Sequence, residues 1–146
     1  MNRPTGKNII GTFFLAAVPV ALVILFGYTG MSKLLNHSSF LAGIRLPQVI
    51  RPFISYAVPV VELLTALFLC FPSTKTAGLL CSAILMASFT VYVIVLLSGT
   101  NLPCSCGGVI SKMNWVQHLY FNGAFLLLSV TSLYYQRSLR VYQGVS

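Results

Sequence analysis

A chain of 146 residues that is 57% hydrophobic and 7% charged, with a mean hydropathy of +0.88, is too apolar for a soluble domain. Soluble domains carry about a quarter charged residues. The net charge of +8 arises from nine Lys and Arg against a single acid, Glu62. The bases are scattered through short loops and tails, with no basic run interleaved with exposed aromatics. That pattern excludes a nucleic-acid partner and points instead to anionic lipid headgroups.

In chain order, the first apolar run covers about residues 9–30. It is longer than the 7–15-residue core of a signal peptide and lacks a small-x-small cleavage site, so a retained helix is expected. About 20 apolar residues suffice to cross a bilayer, and this helix can continue to Leu35. Residues 36–52 carry His37, Arg45, Pro47, Arg51 and Pro52, with room for a short interfacial helix at 39–44. The second span, 53–71, contains Pro59 and Glu62. A turn at 71–75 follows, where Ser73 or Thr74 can cap the next helix. The third span is 76–97. Residues 98–101 break the pattern, and a fourth span occupies 114–135 before a basic tail with Arg137 and Arg140. The expected fold is all-α: one domain over 1–146, with four transmembrane helices in an up-down-up-down bundle.

Four spans place both termini on one side. With the N-terminus cytoplasmic, Arg3, Lys7, Lys75, Arg137 and Arg140 are inside, and Lys33, Arg45, Arg51 and Lys112 outside. The inner five sit in short segments at the membrane edge, where positive charge sets orientation. The protein is thus expected in the cell (inner) membrane, with residues 98–113 extracytoplasmic, where disulfide chemistry is favoured.

That segment holds Asn101-Leu102-Pro103-Cys104-Ser105-Cys106-Gly107-Gly108. Pro103 blocks continuation of the preceding helix, and the two glycines permit close approach of backbone or a partner. Thiols one residue apart can form a local disulfide, accept one from a partner, or bind a soft metal. A one-residue spacing strains the disulfide ring, and strain makes a bridge labile rather than structural. Lys112 nearby favours the thiolate. A redox role leads. The alternatives are Cu(I) capture, with Met113 and His118 as further ligands, and loop cysteines without a role.

Three other groups stand out. Glu62, a carboxylate inside a membrane helix, is a functional candidate by default, with Lys33 as its counter-charge if the long stem reaches inward. It can lock the bundle as an ion pair, or handle the proton that thiol exchange needs. His118 and Asn122 stand four apart, sharing a helix face near the cysteine segment. An interhelical hydrogen bond is the commoner role for such a histidine, and Trp115, one turn earlier, suits an interfacial anchor. Cys70 and Cys81 flank the inner turn, where packing explains them better than electron relay.

The chain resembles the methylamine-utilisation MauE branch of the broader DoxX-like four-helix membrane proteins. The likeness lies in Gly30-Met31-Ser32-Lys33-Leu34, Pro59-Val60-Val61-Glu62, Pro103-Cys104-Ser105-Cys106-Gly107, and Trp115 followed by Asn122. It implies an inner-membrane redox protein working with an extracytoplasmic thioredoxin-fold partner, with Cys104 and Cys106 as the redox pair. Lys33, Glu62 and Asn122 carry over as pattern residues. In the founding case the role is maturation of the disulfide-rich small subunit of methylamine dehydrogenase. The enzyme class this suggests is a thiol–disulfide oxidoreductase or its membrane subunit, against a non-catalytic scaffold for a partner protein or a Cu(I)-handling protein. No cofactor is evident. A quinone is one conceivable final electron acceptor, although no residue marks a site for it.

Overall fold

The computed structural model describes residues 6–98 and 115–143. Five helices follow one another: α1 (Gly6–Leu35), α2 (His37–Gly43), α3 (Arg51–Cys70), α4 (Lys75–Ser98) and α5 (Trp115–Gln143). There is no strand among the described residues. The long helices match the four expected runs, and α2 is the short helix expected near 39–44. The largest difference is at the end of α5, which continues through the basic tail rather than stopping near residue 135. That tail has no Gly or Pro before Gly144 to end a helix.

Three stretches among the described residues are long and apolar enough to cross a membrane: Phe14–Leu35, Arg51–Cys70 and Lys75–Ser98. α5 is long enough, but Gln117, His118, Asn122, Gln136 and Arg137 dilute its apolar character.

α1 packs on α3, α3 on α4, α4 on α5, and α5 returns to α1. α3 and α5 therefore lie across a diagonal. Val18, Leu22 and Phe26, four apart on one face of α1, meet Ala66 and Leu69 of α3 and Leu79 and Met86 of α4. The outward faces are also apolar, as Val20, Ile24, Ile84 and Leu127 show. Lipid tails are as apolar as leucine, so burial of leucine cannot by itself hold such helices together; close packing and interhelical polar contacts must contribute. Accordingly Ser55, Glu62, Thr65, Ser82, Asn122, Ser129 and Ser132 are buried. Ser82 Oγ lies 3.2 Å from Ser129 Oγ, linking α4 to α5.

Two local devices connect the helices at the end of the bundle near residues 71–74. Pro19, inside α1, has no N–H and so leaves the Leu15 carbonyl without its helical donor. The Lys75 ammonium donates to that carbonyl at 2.9 Å. A base expected only to set orientation thus also repairs a helix. Thr74 immediately precedes α4, but its hydroxyl donates back to Phe68 O at 2.8 Å. That bond ties the start of α4 to the end of α3.

Gly78 sits where α4 crosses the end of α3. A Cβ there would stand 2.9 Å from both Leu69 N and Leu69 Cγ. Backbone cannot yield as a side-chain tip can. Gly78→Ala is expected to destabilise the protein by about 1–3 kcal/mol through overpacking, measured as a fall in unfolding midpoint in detergent. An unchanged midpoint would refute the close approach.

At the other end, α2 crosses the bundle mouth. His37 Nε2 lies 3.0 Å from Ser55 Oγ, and its ring stacks on Tyr56 with centroids 4.1 Å apart. The Arg45 N–H donates to the Tyr92 hydroxyl at 3.1 Å. These contacts fasten α2 and its following segment to α3 and α4.

Candidate functional site

On α3, the buried positions Ser55, Pro59, Glu62, Thr65, Ala66 and Leu69 recur every three or four residues and form one inward face. That periodicity carries Glu62 inside, where it is 1% exposed. Lys33 lies in the last turn of α1. Gly30, one turn earlier, lets α1 approach α3 closely: a Cβ there would meet Leu63 Cγ at 3.0 Å and Pro59 O at 3.1 Å. The approach brings the Lys33 ammonium onto Glu62 Oε1 as a hydrogen-bonded ion pair.

The same ammonium lies 5.0 Å from the centre of the Phe89 ring and 5.5 Å from that of Phe40. Both distances are within the range of cation–π attraction. Lys33 is therefore held by a carboxylate and two ring faces drawn from α3, α4 and α2. Glu62 Oε2 has no hydrogen-bond partner among the described residues. The Thr29 hydroxyl beside this carboxyl gives its proton to Leu25 O at 2.9 Å.

The pair faces an open-sided cavity of about 350 Å³ lined by residues of all five helices. Its wall is mostly apolar and aromatic, and α2 with residues 43–46 covers one side. Across the diagonal from Glu62, α5 contributes His118 and Asn122. Asn122 is buried, at 8% exposure. Four residues singled out from sequence, Lys33, Glu62, His118 and Asn122, thus line one chamber.

Cys104 and Cys106 lie outside the described residues, as do Lys112 and Met113. In sequence they fall between Ser98 and Trp115, the ends of α4 and α5 nearest the cavity. Cys70 and Cys81 are free thiols, exposed and half-buried respectively, and neither lines the cavity. Sequence reasoning missed Phe40, Phe89 and the covering role of α2. A phenylalanine that faces a cation looks the same in sequence as one that faces lipid. The one available hint was the short helix flanked by Asn36 and Pro47.

The family model for the methylamine utilisation protein MauE matches residues 11–135. The chain belongs to the MauE family. The matched region includes every residue named in the cavity wall and the whole segment from Ser98 to Trp115. No curated protein and no solved structure matches the chain. With its three apolar spans, this MauE-family protein is a multi-pass membrane protein.

Proposed function

We propose that this MauE-family protein is a thiol–disulfide component of the cell (inner) membrane that serves methylamine utilisation. In this reading Cys104 and Cys106 exchange a disulfide with an extracytoplasmic thioredoxin-fold partner. The observation that carries the proposal is spatial. The segment bearing both thiols connects Ser98 to Trp115 at the cavity end, where an ion-paired acid faces the cavity.

α5 serves as the fourth span, completing an up-down-up-down bundle. Its 29 residues exceed the length required. Its polar groups are directed inward at Asn122, Ser129 and Ser132, while Leu127 and Val130 face outward. Residues 36–50 and 99–114 are then extracytoplasmic.

The exchange balances as follows. The Cys104 thiolate attacks a partner disulfide, forming a mixed disulfide and releasing one partner thiolate. The Cys106 thiolate attacks Cys104 Sγ, closing the Cys104–Cys106 bond and releasing the second partner thiolate. Two electrons pass to the partner, and the two protons lost by the cysteines appear on its thiols. Relative reduction potentials determine which way the sequence runs. Glu62 is a group in the chamber able to hold a proton in transit.

Cys106→Ser removes the resolving thiol. A mixed disulfide with the partner is expected to accumulate through Cys104, visible on non-reducing gels and absent from the Cys104→Ser/Cys106→Ser double variant. A scaffold with structural cysteines gives no adduct. A copper-dependent spectral change without an adduct identifies a Cu(I) carrier instead.

A further inference from the structure

We infer that the outward face of the turn leading into α3 docks a soluble thioredoxin-fold protein whose own contact face is apolar with an acidic rim. The face consists of Val49, Ile50 and Phe53, with Arg45 and Arg51 beside them. The inference rests on the proposed thiol exchange for the identity and side of the partner, and its test is read without that chemistry.

Residues 44–54 carry apolar side chains in two directions. Ile44, Leu46 and Ile54 line the cavity. Val49 and Phe53, four apart and so on one side of a helical turn, are turned outward at 91% and 72% exposure, and Ile50 between them is 47% exposed. The backbone beneath them is fixed. The Ile50 and Arg51 N–H groups both donate to Pro47 O, at 3.0 and 3.1 Å, and the Ile54 N–H donates to Ile50 O at 3.1 Å. Side chains presented on a preformed turn need little further ordering when a partner arrives.

Lipid contact accounts for apolar side chains exposed within a span, such as Ile84 and Leu127. It does not account for Val49. The 20 residues of α3 rise about 1.5 Å each and so already match a hydrocarbon core about 30 Å thick. The turn before them therefore lies past the hydrocarbon edge. Anchors at that depth are typically Trp and Tyr, whereas this turn presents Val and Ile. It also lies at the cavity end of the bundle, as do Ser98 and Trp115, which bracket Cys104 and Cys106 in sequence.

Charge defines the partner further. Arg45 is exposed and Arg51 half-buried. The one acidic side chain of the protein, Glu62, is buried, so none is left at the surface to answer these bases. A basic face without acids favours an acidic partner and speeds its approach. Transient redox encounters use interfaces below about 1,200 Å², so a small apolar centre with two flanking bases is adequate.

The test uses the full chain carrying Cys104→Ser/Cys106→Ser in its native membranes. Val49→p-benzoylphenylalanine supplies a photo-crosslinker on the turn, and Ile84→p-benzoylphenylalanine is the lipid-facing control. Irradiation is expected to give a protein adduct from position 49 and none from position 84, with mass spectrometry identifying a thioredoxin-fold protein. Adding Arg45→Glu/Arg51→Glu is expected to lower the adduct yield at least about tenfold. Both changes are compatible with the fold: Arg45 reaches Tyr92 through its backbone N–H, and an acid at the first residue of α3 suits a helix N-terminus. Adducts to lipid alone from position 49 would overturn the inference and mark the turn as an interfacial anchor. So would the absence of any adduct, an adduct to a protein of another fold, or a yield that charge reversal leaves unchanged. The comparison of positions 49 and 84 decides the matter even if the charge-reversed chain fails to fold. A protein adduct here, with no disulfide trapped by Cys106→Ser, would refute the exchange and keep the docking surface; the opposite pair of results would do the reverse.

Discussion

Lys33→Met is expected to destabilise the bundle by about 3–5 kcal/mol, the usual consequence of stripping one partner from a buried pair. Glu62 is 1% exposed and has no other cation near it among the cavity-lining residues. Once Lys33 is gone, its carboxylate must either stay charged in a medium of low dielectric or take up a proton. Glu62→Leu is expected to cost less. The Lys33 side chain is 21% exposed and lies at the end of α1, where its long stem can carry the ammonium outward. Lys33→Met/Glu62→Leu together is expected to fall within about 1 kcal/mol of the natural protein, since apolar replacement of a whole buried pair is often neutral. Unfolding midpoints of the three variants in one detergent measure this directly. A double variant as unstable as Lys33→Met would show that the pair is not the source of the effect.

Cys104→Ser is expected to abolish disulfide transfer, lowering the rate of thiol–disulfide exchange with the thioredoxin-fold partner at least about a hundredfold. A serine hydroxyl is far less acidic than a thiol and cannot form the mixed disulfide. Cys106→Ser is expected to block turnover as completely but at a later step, leaving the trapped adduct. Cys70→Ser and Cys81→Ser are expected to leave transfer unchanged, because neither thiol lines the cavity. The partner's free-thiol content, followed by alkylation and mass shift, separates the three cases. Full transfer by Cys104→Ser would refute the thiol reading while leaving the ion pair and the cavity as they are.

The helices were legible in sequence because the bilayer imposes one requirement on every residue of a span: its backbone polar groups must be satisfied within the segment. Long apolar runs broken by residues such as Pro72 and Gly99 therefore located the four long helices to within a few residues, apart from the distal end of α5. Glu62 was equally legible as the only acid in the chain, and Lys33 was its natural counter-charge by position and reach. The Lys75 bond to Leu15 was not, although Pro19 announced a carbonyl in need of a donor. Sequence shows that a carbonyl is freed; it does not show which of nine bases reaches it.

By itself, the sequence determined that this is an all-helical membrane chain, that one acid is buried within it, and that two thiols share a short segment between helices. These follow from composition, run length and spacing, which are properties of neighbours along the chain. Only the tertiary structure decided that Lys33 meets Glu62 between Phe40 and Phe89, that His118 and Asn122 face the same chamber, and that α2 covers it. Those contacts join residues far apart in sequence. They depend on how closely helices approach at glycines such as Gly30 and on which faces turn inward together, and no local pattern encodes either.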